Sequence, residues 1–189
     1  MDVSFTKVAG RRYIVKVTRD VGPELAARNG PGYDSYLPHD IVHFVVETEA
    51  GIRGGVFGQL AAGDSGIFWP VDQSRRSSRR KRVSTSEEDA DMARSEWLAG
   101  VCPRVWAKRA RLPKDLPEGV DPAVIERICT RLGGIAARWH ALPVCGAITL
   151  TWPYGEGRRK PVNTPRRRPA TNRAVGASTR GRVGTRRRR

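Results

Sequence analysis

The chain has 189 residues, of which 39% are hydrophobic and 29% charged, with a formal net charge of +16 and a pI near 11.0. That length suits one domain with a core of its own. Thirteen of the 35 Lys and Arg residues fall in 157–189, which holds no acid, while 1–156 keeps 22 basic against 19 acidic residues, so the excess charge belongs mostly to the tail.

The three cysteines, Cys102, Cys129 and Cys145, are odd in number and widely spaced, with no C-x-x-C. That argues against a disulfide framework and against a structural zinc site. Their apolar neighbours predict buried free thiols. The N-terminus lacks the hydrophobic region of a signal peptide. No apolar run approaches the ~18 residues that a membrane span needs. The expectation is a soluble, reduced, cytoplasmic protein with no membrane partner.

Taken in order, Val3 to Val8 and Tyr13 to Thr18 alternate apolar and polar residues around Ala9-Gly10-Arg11-Arg12, which predicts a β-hairpin. Gly22-Pro23-Glu24-Leu25 suits a short helical turn. Asn29 to Ser35 is a loop by composition. Its Tyr33, together with Tyr36, is close enough in sequence to His39 to line a pocket there, although exposed loop tyrosines without a role are the commoner case.

Leu37-Pro38-His39-Asp40-Ile41-Val42-His43-Phe44-Val45-Val46-Glu47 holds two of the three histidines. Its β-branched content favours strand, but its spacing favours helix. On a helix Ile41, Val42, Phe44, Val45 and Val46 share one broad face, and His39, Asp40, His43 and Glu47 the other. Pro38 suits a first helical position and Gly51 a C-terminal cap, which predicts a helix from about Pro38 to Ala50. The ordinary reading of such a polar face is contact with water or plain hydrogen bonding, with no chemistry of its own.

His39 and His43 lie one turn apart, ~6 Å along the axis, so their rings can point at one spot. Two-histidine metal ligation uses this arrangement, with zinc the natural cation and Asp40 the candidate base. The order His39-Asp40-x-x-His43 resembles the H-E-x-x-H motif of zincin metalloproteases, with aspartate in place of glutamate. The resemblance covers five residues, and the shorter Asp40 reduces the reach to a metal-bound water. Glu47 stands ~12 Å from His39 along the axis, too far to complete the set. His140 is the remaining histidine and the candidate third ligand. The longer string Leu37-Pro38-His39-Asp40-x-x-His43-Phe44-Val45-Val46-Glu47 also resembles a segment of uncharacterised small bacterial proteins, a resemblance that implies no activity.

Gly51 to Gly63 reads as a turn followed by a short helix at about 55–62. It carries neither G-x-G-x-x-G nor G-x-x-x-x-G-K-[ST], so a phosphate cradle is the weaker interpretation. An exposed basic linker is expected at 72–84, where Arg75, Arg76, Arg79, Arg80, Lys81 and Arg82 are interspersed with serines. It is a candidate nucleic-acid contact or a solvated charge run. Ser84 to Asp89 is a helix start with capping-box spacing. Gly100 and Pro103 should split this helical stretch into two, at about 85–99 and 103–111. Asp121-Pro122 should cap a helix running to His140, weakened in its middle by Gly133-Gly134. Val144 to Trp152 reads as a strand, with Ile148, Leu150 and Trp152 on one face. The order β-β-α-(α)-α-α-β predicts an α+β fold, in which an N-terminal β-hairpin and a C-terminal strand form a small antiparallel sheet packed with about four helices. The domain is expected to span 1–156.

Residues 157–189 have too few apolar side chains to offset the entropy of ordering and are expected to be disordered. Arg166, Arg167, Arg168, Arg186, Arg187, Arg188 and Arg189 are its densest charges. Such a polycation binds nucleic acid or another polyanion unspecifically through counterion release, and without aromatic residues it has no means of stacking on bases. A passive tail is a second interpretation, and GC-rich DNA translated beyond its natural frame or stop a third. Two function classes therefore stand at this level. One is a small binding module that needs no cofactor, with a polyanion-binding tail. The other is a metal-dependent hydrolase-like protein built on His39, Asp40, His43 and His140.

Overall fold

Strand β1 (Asp2–Val8) turns through a left-handed Gly10-Arg11 pair into β2 (Arg12–Thr18). The two strands form the expected hairpin, with Val3 opposite Val17, Phe5 opposite Val15 and Lys7 opposite Tyr13. Period-two alternation puts Val3, Phe5, Tyr13, Val15 and Val17 on one buried face. The last strand, β4 (Ala147–Thr151), pairs antiparallel with β1, setting Ile148 and Leu150 against Phe5 and Val3. On the outer face, the Ser4 and Thr149 hydroxyls share a cross-strand hydrogen bond of 2.7 Å. A two-residue strand, β3 (Arg28–Asn29), adds to β2, so the sheet order is β3-β2-β1-β4. Two residues are too few to show alternation, which is why β3 is illegible in the sequence. The architecture is α+β, as the sequence predicts.

The structure is a computed structural model, and it describes residues 1–33, 36–64, 66–72 and 84–157. All of the described residues belong to one compact unit, Met1–Arg159. The basic cluster Arg75–Arg82, and the tail arginines Arg166–Arg168 and Arg186–Arg189, lie outside the described residues.

Four helices pack with the sheet. Helix α1 (His39–Glu49) begins one residue after Pro38, and Gly51 follows its end at φ +66°. The Ile52 amide there donates to the Glu47 carbonyl over 2.9 Å, closing the helix in a Schellman-type turn. Helix α2 (Val56–Ala61) falls close to its expected position. Helix α3 (Ser86–Trp106) is continuous, whereas the sequence predicts two helices. Pro103 sits inside it near its C-terminal end, where a single backbone donor is lost and packing of the Leu98, Ala99 and Cys102 face holds the helix together. The N-terminus of α3 carries the expected capping box, in the register Thr85 and Glu88.

Helix α4 (Pro122–Ala141) starts at Asp121, whose carboxylate accepts the Ala123 amide at 2.8 Å, and it runs through Gly133-Gly134 unbroken. At its other end Lys7 of β1 donates to the Trp139 and Leu142 carbonyls at 3.2 and 2.9 Å. The cation thereby meets the negative end of the helix dipole.

Gly22 to Leu25 forms no helical turn. Leu25 instead makes an antiparallel bridge with Pro70, flanked by amide bonds from Ala26 to Trp69 and from Val71 to Glu24. All three thiols are free and Cys102 is buried, as expected, whereas Cys129 is half-buried and Cys145 exposed. Cys145 occupies the turn before β4 at φ +69°, beyond the reach of the core.

Candidate functional site

The polar face of α1 meets water only at His39, and Asp40, His43 and Glu47, at 8%, 4% and 0% exposed, form internal hydrogen bonds instead of facing solvent. The reason lies in the packing. The sheet approaches one side of the helix, where Phe44 meets Trp152 with ring centroids 5.9 Å apart. Helices α3 and α4 cover the other side, and α2 covers its C-terminal end. A helix surrounded in this way must satisfy its polar groups internally.

Asp40 joins α1 to the sheet. One carboxylate oxygen accepts the Tyr13 hydroxyl and the other the Arg28 guanidinium, each at 2.7 Å. Burial, followed by the charge and hydrogen bond of Asp40, pushes the Tyr13 phenol well above its ordinary value. Both oxygens of the candidate base are thus engaged by the sheet. The Arg28 guanidinium also lies over the Phe68 ring, 5.0 Å from its centroid.

Glu47 does a different task. Its carboxylate accepts the amides of Val56, Phe57 and Gly58 at 2.8, 2.8 and 3.1 Å. These are the unpaired donors at the N-terminus of α2, whose N-cap residue Gly55 has no side chain to offer. Ser95 of α3 donates to the same carboxylate at 3.1 Å and lies 3.1 Å from His43 Nδ1. The result is a buried chain His43–Ser95–Glu47. Burial raises the Glu47 carboxyl to about 7, although the three amides and Ser95 pull the other way. Burial and the neighbouring His39 hold the His43 imidazole below its ordinary value, against the opposing pull of Glu96 and Asp40.

His39 and His43 do stack along one edge, with ring centroids 4.6 Å apart. His43 Nε2 lies 3.7 Å from Glu96, and His39 is exposed. His140 is exposed near the end of α4. Among the described residues no group of three His, Cys, Asp or Glu side chains converges on a point that could hold a metal.

Beside His39 opens a cavity of about 360 Å³ that the sequence shows only in part. Tyr33 and Tyr36 line it as expected, together with Leu37, Val42 and Leu132. Helix α3 and the turn after it supply Ala99, Pro103, Arg104, Trp106 and Arg109. Tyr36 meets Trp106 edge to face at 5.6 Å, and Tyr33 meets Trp139 likewise. The Arg109 guanidinium lies 4.4 Å from the Tyr36 ring centroid and donates to its hydroxyl at 3.0 Å. Among the described residues that line the cavity none is acidic.

Ser95, Arg104, Trp106 and Arg109 are the site residues that sequence reasoning missed. The interleaved Arg104-x-Trp106-x-Lys108-Arg109 was the signal present for three of them, since basic and aromatic residues alternate there without an acid. Ser95 had none, because a serine on a helix becomes informative only once its buried neighbours are known. No family model, curated protein or solved structure matches the chain.

Proposed function

We propose that the protein is a binding module rather than a hydrolase, with its basic segments contacting nucleic acid or another polyanion without sequence preference. The observation that carries this reading is the state of α1. Asp40 is engaged by Tyr13 and Arg28, Glu47 by three amides, and His43 by Ser95. These groups stabilise the packing of three helices and a sheet, and neither carboxylate is placed to take a proton from a substrate. The charge distribution supplies the rest: thirteen basic residues and no acid in 157–189, and six basic residues in 74–82. Polyanion binding of this origin releases counterions, so affinity should fall steeply and linearly on a logarithmic salt scale and be equal for unrelated duplexes. Replacing the six basic residues of 74–82 should have a smaller effect than removing the tail. A salt-independent affinity, or one that distinguishes sequences strongly, would contradict this.

The close pair His39–His43, one ring exposed and the other buried, favours a second reading as a zinc site with His140 as the third ligand. Purified protein would then retain roughly one zinc per chain, and His43→Ala would remove it. Metal-free protein whose melting temperature ignores added zinc would end that reading.

A further inference from the structure

We propose that the cavity beside α1 is a nucleotide site, in which an aromatic base enters among Tyr33, Tyr36 and Trp106 and its phosphate meets Arg104 and Arg109. The inference rests on reading the protein as a binding module, but needs neither the 74–82 cluster nor the tail. The volume of about 360 Å³ lies within the ~300–1,000 Å³ of small-molecule sites.

The walls are aromatic and aliphatic, which suits a flat ring. Among the described residues, the polar side chains that line it include two guanidiniums and no carboxylate, which suits an anion. Lys108 and Arg111, both exposed, continue the positive charge along the same turn. Two guanidiniums with a lysine nearby match a doubly charged phosphate better than a single carboxylate.

Arg109 is already oriented, because it lies over the Tyr36 ring and uses one donor on its hydroxyl. A guanidinium has five donors, so most of its fork is left for phosphate oxygens. The same chemistry reaches the cavity from two sources: a free mononucleotide, or an unpaired base within a single strand.

The test is calorimetric titration of the full-length protein at physiological salt with AMP, with adenosine, with a single-stranded oligodeoxyadenylate and with a duplex. Wild type is compared with Trp106→Ala, Trp106→Phe, Arg109→Gln and the control Arg138→Gln, which removes an exposed charge outside the cavity. AMP should bind more tightly than adenosine. Trp106→Ala should weaken AMP by ~10-fold or more, the scale of one lost base–aromatic stack. Arg109→Gln should weaken it by ~10-fold, the scale of one charge-assisted hydrogen bond. Trp106→Phe should retain most of the affinity, and Arg138→Gln all of it.

If only the single strand binds, with the same dependence on Trp106 and Arg109, the site takes an unpaired base rather than a free nucleotide. Binding of every probe that ignores Trp106→Ala and Arg109→Gln overturns the site while leaving the polyanion reading standing. AMP binding without any strand binding keeps the site and removes the polyanion reading. No heat of binding from AMP or the strand overturns the site.

Discussion

At the residue scale, Glu47 shows how one side chain couples pH to stability. Its folded carboxyl titrates at about 7, against an ordinary value of 4.5. The folded state therefore binds this proton more tightly than the unfolded state does. The contribution of Glu47 is full below about 4.5 and is lost as the pH rises through about 7. His43 acts in the opposite sense. Its depressed value means a contribution present above its ordinary 6.5 and lost as the pH falls through the folded value. Urea unfolding between pH 5 and 7.5 should show wild-type stability declining relative to Glu47→Gln, which carries no charge at either end. Parallel pH profiles for the two proteins would refute this account. Below about pH 4.5, where the contribution of Glu47 is full, Glu47→Gln should be the weaker fold by ~1–3 kcal/mol, because the side-chain amide turns donor hydrogens toward backbone amides that need an acceptor.

At the element scale, the junction of α1 and α2 depends on close approach. A Cβ added at Gly55 would sit 2.4 Å from the Glu47 carboxyl carbon and 2.5 Å from one of its oxygens. Glu47 is fully buried and fixed by several hydrogen bonds, so it cannot swing aside. Gly55→Ala should therefore cost ~2 kcal/mol or more, even though alanine leaves the unfolded chain less conformational entropy to lose than glycine does. Chemical denaturation measures this, and an unchanged or raised midpoint would show that the Glu47 cap can shift. The same close fit explains why α2, only six residues long, persists: its N-terminal amides are capped from another helix.

At the scale of the whole molecule, the N-terminus and the end of the described chain are tied together. The Met1 ammonium lies 2.6 Å from Glu156, whose other oxygen accepts the Asp20 and Val21 amides at 2.8 and 3.0 Å. The Gly157 amide donates to the Ala61 carbonyl at 2.8 Å. Burial of the Glu156 carboxylate works against ionisation, but the ammonium and the two amides outweigh it and hold the group below its ordinary value. A cut immediately after Glu156 would disturb these contacts. A cut after Arg159 keeps the compact unit and should leave the melting temperature nearly unchanged while removing most polyanion affinity. A melting temperature that falls by many degrees would mean that the tail packs on the domain. Retained affinity with the same salt slope would move the contact to 74–82 or to the basic turn after α3.

The sequence by itself determined what depends on neighbours along the chain. Alternation in Val3–Thr18 and in Ile148–Trp152 defined the strand faces, because a β-strand turns its side chains over at every residue. Spacing and caps located α1, α2 and α4, since Gly51 and Asp121 act within one turn of their own backbone. The closeness of His39 to His43 came from the same local geometry. Tertiary structure alone decided the rest. Whether a polar helix face meets water or a second layer of protein depends on what packs there, and here Ser95, Arg28 and the amides of α2 arrive from three other elements of the fold. The continuity of α3 through Pro103 likewise came from packing that local propensity does not contain. The cavity needed α1, α3 and α4 brought side by side before Trp106, Arg104 and Arg109 could face Tyr36. Side chains far apart in sequence become one chemical environment only when the fold has offset the entropy of holding them together.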